Sequence, residues 1–368
     1  MTASRFWILI LSGMTLAGQA PDRPTQNAGL QIDDNDPALP GLVCRSAMFA
    51  QQSGDLPGAE KLIRHGLTLF VRNNSLETTG GAACLTTFSS LLESRSHEKE
   101  AQEQLEHALA IREQLLGRDH FLVGDTLVRL GLAHSRQGHL TEAEVIETRA
   151  VNILRMQEPS PELAAALNNL GDVLSAQNRW KEAEARIREA ISIWENAGGP
   201  DDPSVAAGLL NLGVLLEDRK QYDEAARVLA RARRIDEKTF PANHPRIAMN
   251  LNAAGVLATA RKNYQEAEGL LVQAAAILEG SQSPQHAETG QVLLNLAEVY
   301  RLEKKTDQAR DTYRRGLAGV TSEWGPNDAR LPKWMEKLAA VLREQQDFAG
   351  AEELEIRATR IRVTHSIR

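Results

Sequence analysis

The stretch NLGDVL at residues 169–174 indicates the fold, because similar stretches recur at a nearly fixed distance along the chain. Forty-two residues later the chain reads NLGVLL at residues 211–216. One position in each stretch holds a small residue, and we call it the first small position. Its occupants are Ala47, Ser89, Gly131, Gly171, Gly213, Gly255, Ala297 and Ala339. A period of about 40 residues over most of the 368-residue chain predicts a repeat protein.

Two further small positions follow the first in every unit. The second lies twelve residues after the first, and its occupants are Ala59, Ala101, Ala143, Ala183, Ala225, Ala267, Ala309 and Ala351. The third lies seven residues later, and its occupants are Gly66, Ala108, Ala150, Ala190, Ala232, Ala274, Gly316 and Ala358. Apolar residues such as Leu167, Leu170 and Leu174 follow helical spacing between them. Because antiparallel helices approach closely only at small side chains, each unit is predicted to be a pair of helices.

Residues typical of helix starts stand eleven positions before the first small position. They are His120, Ser160, Asp202, His244, His286 and Asp328. Ser and Asp are preferred N-caps, and the proline that follows three of these residues fits the first position of a helix. This placement argues against a catalytic role for the three histidines.

The order of these residues resembles a known repeat family. Leu212-Gly213, then Tyr222, Ala225 and Ala232, is similar to the tetratricopeptide pattern, and the 42-residue period resembles the repeats of the kinesin light chain type. The resemblance covers residues 43–368. It implies an all-α fold, a right-handed α-solenoid of about eight tetratricopeptide helix-turn-helix repeats. It also implies a protein-binding role with a concave groove lined by the first helix of each pair.

The N-terminal residues have the layout of a secretory signal peptide. Arg5 precedes the apolar run Phe6–Leu16, and small residues follow. We therefore expect a signal peptide at residues 1–20, a flexible, proline-rich linker at residues 21–42 and the solenoid at residues 43–368. Since a membrane span needs about 20 apolar residues, no stable membrane insertion is expected after cleavage. A buried helix or an uncleaved anchor is the alternative, and a bacterial periplasmic or secreted location is the expectation.

Composition and motifs exclude several function classes. A net charge of −7 argues against nucleic-acid binding. The chain lacks phosphate-binding glycine loops, nucleophile elbows and the zinc-protease motif. His134 and His139 are five residues apart, which places them on different faces of a helix. No enzymatic activity, cofactor or metal is therefore expected.

The two cysteines, Cys44 and Cys84, fall at nearly matching places in the first helices of units one and two. In an oxidising compartment they could form a disulfide across these units. The alternative is a pair of buried thiols that pack as small apolar residues.

The predicted peptide-binding residues lie on the first helices. They are Asn169, Asn211, Asn252, Asn295, Arg129, Arg136 and Lys337. An Asn amide offers both a donor and an acceptor to a peptide backbone, while the cations favour acidic residues in a ligand. Alternatively, the Asn residues satisfy helix ends between repeats. The predicted function is a scaffold that binds a peptide or protein segment in the groove; the alternative is a structural subunit of a cell-envelope complex that uses its outer surface.

Overall fold

The computed structural model describes residues 36–95, 97–280 and 287–366. Within these ranges the chain forms sixteen α-helices and no strand. Their bounds are α1 Leu39–Gln52, α2 Leu56–Arg72, α3 Thr79–Glu93, α4 Glu98–Leu116, α5 Phe121–Arg136, α6 Leu140–Leu154, α7 Pro161–Ala176, α8 Trp180–Gly198, α9 Pro203–Asp218, α10 Tyr222–Thr239, α11 Pro245–Ala260, α12 Tyr264–Gly280, α13 Ala287–Leu302, α14 Thr306–Trp324, α15 Leu331–Glu344 and α16 Phe348–Ser366. The predicted all-α solenoid of eight helix pairs is confirmed.

The described chain divides into two compact units within α7, between Val173 and Leu174. In the N-terminal unit α1 packs against α2, α3 against α4 and α5 against α6. In the C-terminal unit each first helix also contacts the first helix of the next pair: α9 contacts α11, α11 contacts α13, and α13 contacts α15. These four helices therefore form one continuous surface, which we call the first-helix face.

The small positions lie where paired helices meet. Ala183, Ala225 and Ala267 are fully buried. A Cβ atom added to Gly255 of α11 would lie 2.7 Å from Cγ of Leu271 in α12, closer than real Cβ contacts. The period of small residues thus has a packing cause, since larger side chains would separate the two helices.

Helix-start chemistry is confirmed at four of the predicted positions, and one of them is Ser160, whose hydroxyl accepts a hydrogen bond from the backbone N–H of Leu163 at 3.3 Å. Asp328 Oδ1 accepts a similar bond from Arg330 at 2.8 Å, one residue before α15 begins. Nδ1 of His120 accepts a hydrogen bond from the backbone N–H of Leu122 at 3.2 Å. Asp202 Oδ1 accepts one from Ser204 at 2.7 Å, and His244 Nδ1 accepts one from Arg246. These side chains satisfy N–H groups that have no partner inside the helix. His286 lies outside the described residues.

The solenoid begins earlier than the sequence predicts. Helix α1 starts at Leu39, whereas the predicted linker extends to residue 42. Pro40 suggested a linker, but it lies in the first helical turn, where its missing N–H leaves no bond unmade. Leu39 and Pro40 are both buried. The predicted signal peptide lies outside the described residues.

Cys44 of α1 and Cys84 of α3 form a disulfide, with their Cα atoms 5.5 Å apart. The bond links the first helix pair to the second within the N-terminal unit. Across the described ranges, the structure contains no helix with the length and apolar character needed to span a membrane.

Candidate interaction face

Three of the four predicted Asn residues lie on the first-helix face of the C-terminal unit. Asn211 of α9, Asn252 of α11 and Asn295 of α13 are only 3–5% exposed. Asn295 Nδ2 donates a hydrogen bond to Asn252 Oδ1 at 2.8 Å. Oδ1 of Asn295 is buried and accepts no hydrogen bond from any described residue. The structure therefore couples two neighbouring first helices through an amide pair that retains an unused acceptor.

Asn169 belongs to the N-terminal unit and has a different partner. Its Nδ2 donates to Oε1 of Glu147 at 3.1 Å, and both side chains are buried. Glu147 lies in α6 directly over Gly131 of α5, where an added Cβ would be 2.5 Å from its Oε1. Asn169 thus forms a hydrogen bond between side chains of neighbouring repeats, while its role in ligand binding stays a prediction.

Sequence analysis missed Glu147, although its position carried a signal. It stands sixteen residues after the first small position, where the next four repeats have Ile187, Leu229, Leu271 and Tyr313 and the last repeat has Glu355. Burial raises the pKa of Glu147 well above its ordinary value, and the charge of Asp172 adds to this, while the hydrogen bond from Asn169 opposes it. This environment favours the neutral form of Glu147, and a carboxyl at a position that is apolar in the neighbouring repeats was the clue.

Each cation that the sequence singled out has a carboxylate of the chain beside it. Arg136 lies 3.6 Å from Glu93, and Arg129 lies 4.0 Å from Asp125. The ammonium of Lys337 lies 3.0 Å from Oε1 of Glu298. Each of these cations thus lies beside a carboxylate of its own unit. The positive charge from which the preference for an acidic ligand was predicted is therefore already balanced within the chain.

Glu298 of α13 is the centre of a charged cluster on the first-helix face. Arg301 donates two hydrogen bonds to its carboxylate at 2.9 Å, and the Tyr313 hydroxyl donates one at 2.6 Å. Burial alone would raise the pKa of Glu298, but the bonds from Arg301, the charge of Lys337 and the Tyr313 hydroxyl lower it to about 2. The carboxylate stays ionised at all physiological pH values and fixes its three partners.

A second carboxyl near the C-terminal end of α9 behaves in the opposite way. Burial raises the pKa of Glu217 to about 8, and the neighbouring charge of Asp218 adds to the rise, while Lys333 of α15 opposes it. Glu217 is therefore mostly protonated at pH 7. Its neutral form reduces the charge that this part of the face presents.

Between these acids the first-helix face is neutral and partly apolar. Its half-buried apolar side chains are Val214, Met249, Val256 and Leu302. At helical spacing they lie beside the amides of Asn211, Asn252 and Asn295. No group of three or more His, Cys, Asp or Glu side chains among the described residues is arranged to hold a metal ion. The face offers apolar contact and amide hydrogen bonds.

A family model described as Tetratricopeptide repeat matches residues 98–156, 162–238 and 246–322, which is more than half of the chain. A search of curated proteins finds no match.

Among solved structures, the chain is similar to BtubC (BKLC) from P. vanneervenii, with 22% identity over 62% of this chain and 92% of that chain, at a TM-score of 0.50. A Podosopora anserina putative kinesin light chain with nearly identical repeats gives 23% identity over 54% and 94%, at a TM-score of 0.43. A Rap protein complexed with Competence and Sporulation Factor gives 16% identity over 89% and 98%, at a TM-score of 0.62. At these identities the similarities to BtubC and to the Rap protein establish a shared fold and nothing further.

Proposed function

The chain belongs to the tetratricopeptide repeat family, and on that premise we propose that it is a protein-interaction scaffold whose first-helix face binds an extended segment of a partner protein. The family assignment and the repeat solenoid support an interaction role. The Rap protein of the same fold, solved in a complex with Competence and Sporulation Factor, gives a parallel at the level of fold alone.

One observation carries the proposed site, the unused acceptor of Asn295. A buried acceptor without a hydrogen bond costs about 1–3 kcal/mol. Because Asn295 Oδ1 is buried in the free chain, binding would require a side-chain shift that opens it to an N–H group of the ligand backbone. That bond would recover the energy, and Asn252 would hold the amide in place from the neighbouring helix. The half-buried side chains of Met249 and Val256 lie at helical spacing beside the pair and would contact apolar residues of the ligand.

The test is to replace both members of the amide pair, Asn252→Ala together with Asn295→Ala. Removing both partners leaves no orphaned group between them, so the helices should stay folded. One lost ligand bond of about 1 kcal/mol should weaken binding roughly fivefold, and the loss of Asn252, which positions that bond, adds to the effect. The ligand would come from a pull-down with the wild-type chain, and calorimetry would measure its affinity.

Asn243→Ala is the matched control, because Asn243 is an exposed Asn between α10 and α11. It should bind as the wild type does. A double variant that keeps its helical circular dichroism and its affinity would remove the first-helix face as the site. In that case we would favour the alternative function, a structural subunit of a cell-envelope complex that uses its outer surface.

We also propose that the protein is exported from a bacterial cell. The apolar run Phe6–Leu16 with small residues after it supports this, as does the disulfide between Cys44 and Cys84, since disulfides persist mainly in oxidising compartments. N-terminal sequencing of protein from the native host should find a start near Gly18 or Pro21. An intact Met1 in a cytoplasmic fraction would refute export.

A further inference from the structure

Helix α1 leaves apolar side chains exposed at positions that every later repeat buries. Leu42 is 48% exposed and Phe49 is 62% exposed. Leu42 stands five residues before the first small position, and the later residues at that place are Cys84, Thr126, Ala166, Gly208, Asn250, Val292 and Trp334, all buried. Phe49 stands two residues after it, and the later residues there are Leu91, Ala133, Val173, Leu215, Leu257, Val299 and Val341, also all buried.

The covering neighbour in later repeats is the second helix of the preceding pair. Thr126 of α5 accepts a hydrogen bond at 2.5 Å from Arg112 of α4, and Asn250 of α11 donates one at 2.7 Å to Asp236 of α10. No described residue precedes α1 in that role. We call the exposed surface around Leu42, Arg45 and Phe49 the α1 end face.

The C-terminal end of the solenoid carries polar groups at its corresponding positions. Thr359 and Arg362 of α16 are exposed and stand where α14 has Leu317 and Val320. Arg362 donates a hydrogen bond to Glu336 at 2.7 Å. If α16 of a second copy stacked on the α1 end face, it would bury this charged side chain against Phe49, so end-to-end stacking of copies is disfavoured.

A segment four residues before α1 matches the α1 end face in composition. The sequence reads Leu30-Gln31-Ile32-Asp33-Asp34, which contains two aliphatic residues and an acidic pair. In an extended segment Leu30 and Ile32 point to the same side and Gln31 to the other. Arg45 lies between Leu42 and Phe49 at helical spacing and forms no ion pair with any described residue.

The length of the connection allows the contact. Phe49 lies ten residues into α1, about 15 Å along the axis at about 1.5 Å per residue. Leu30 lies six residues before Asp36, and six extended residues span about 20 Å. The segment can therefore fold back along α1 as far as Phe49. It also remains in a chain cut at residue 17 or 20.

We propose that the Leu30–Asp34 segment packs along the α1 end face, with Leu30 and Ile32 covering Phe49 and Leu42 and the acidic pair facing Arg45. The segment covers the N-terminal end of the solenoid in the role that the second helix of the preceding pair has in later repeats. Terminal repeats need such a cover, because an open apolar end invites association.

The test measures hydrogen exchange of the α1 amides in the full-length chain as the expressing cell processes it. Leu30→Asn with Ile32→Asn should speed exchange in α1 roughly tenfold, whereas Gln31→Asn, the matched control, should leave it unchanged. Phe49→Ser should speed exchange similarly, and adding it to the double variant should give little further increase, because both changes remove one contact. Unchanged exchange in the double variant, or additive effects, would overturn the proposal.

Charge reversal tests the polar part of the contact. Arg45→Glu should speed exchange in α1, and combining it with Asp33→Lys and Asp34→Lys should restore the wild-type rate. Sedimentation of each variant identifies the competing occupant. A concentration-dependent dimer that Phe49→Ser abolishes and Leu30→Asn with Ile32→Asn leaves intact would assign the end face to a second copy instead.

Discussion

At the scale of single residues, Glu147 shows that one repeat position can hold either an apolar side chain or a buried carboxyl group. The same position holds Leu271 in a later repeat, where the leucine fills the space over Gly255. In the N-terminal unit the carboxyl group of Glu147 occupies the corresponding space over Gly131, and Asn169 donates one hydrogen bond to it. Oε2 of Glu147 is buried and has no partner among the described residues. A charge there would be costly, so this environment favours the protonated form of the side chain.

This environment predicts a pH dependence of folding stability. The folded chain keeps the Glu147 proton at pH values where the unfolded chain, with its ordinary pKa of 4.5, has released it. Stability from this residue is therefore complete below pH 4.5 and falls as the pH rises toward the folded pKa. Glu147→Gln should flatten this part of the profile in urea unfolding between pH 5 and 8, measured against the wild type.

Glu158→Gln is the control, because Glu158 is exposed in the loop before α7. It should reproduce the wild-type profile. A Glu147→Gln profile parallel to that of the wild type would mean that Glu147 is ionised in the folded chain.

At the scale of helices and turns, one backbone conformation recurs in the connection inside seven helix pairs; in the second pair the corresponding residue lies outside the described ranges. The residue seven positions after the first small position has a positive φ. In five successive repeats of the second half it is Asn178, Lys220, Lys262, Lys304 and Gln346, with φ from 60° to 65°. Glycine takes this conformation at no steric cost and stands there in Gly54 and Gly138. The three lysines therefore carry backbone strain.

Relieving this strain should stabilise the C-terminal unit. A left-handed residue other than Gly costs roughly 1–2 kcal/mol, and glycine loses about 0.5–1 kcal/mol more chain entropy on folding. Lys220→Gly, Lys262→Gly and Lys304→Gly together should raise the free energy of unfolding by about 1–2 kcal/mol, measured by urea denaturation. Lys61→Gly, at an exposed position inside α2, should instead lower it by about 1 kcal/mol. A loss of stability in the triple variant would contradict the strain.

At the scale of the whole molecule, a repeat protein is least supported at its ends. An inner helix pair packs against neighbours on both sides, while the first pair has only one described neighbour. The disulfide between Cys44 and Cys84 compensates at this end, because it ties α1 to α3 across a sequence separation of 40 residues. At the C-terminal end, the exposed polar residues Thr359 and Arg362 of α16 leave less apolar surface uncovered.

Removing the disulfide should destabilise the N-terminal unit. A closed loop of this length is worth roughly 4 kcal/mol in the chain-entropy model. Cys44→Ser with Cys84→Ser should therefore unfold at lower denaturant concentration by up to about that amount. Reductant should shift the wild type in the same direction and leave the double variant unchanged. A wild type that is insensitive to reductant after complete reduction would contradict the role of the bond.

The sequence alone determined the eight helix pairs and the family, and it identified the caps at His120, Asp202 and His244. These features depend on the chain's own period and on backbone groups within a few residues, so they can be read locally. Only the tertiary structure decided how the site residues are used. It buried Asn295 against Asn252, gave Lys337 the carboxylate of Glu298, joined Cys44 to Cys84 and placed Glu147 under Asn169. Each of these contacts joins different helices, and the side chain that lies opposite a residue follows from helix packing, which a repeat period does not specify.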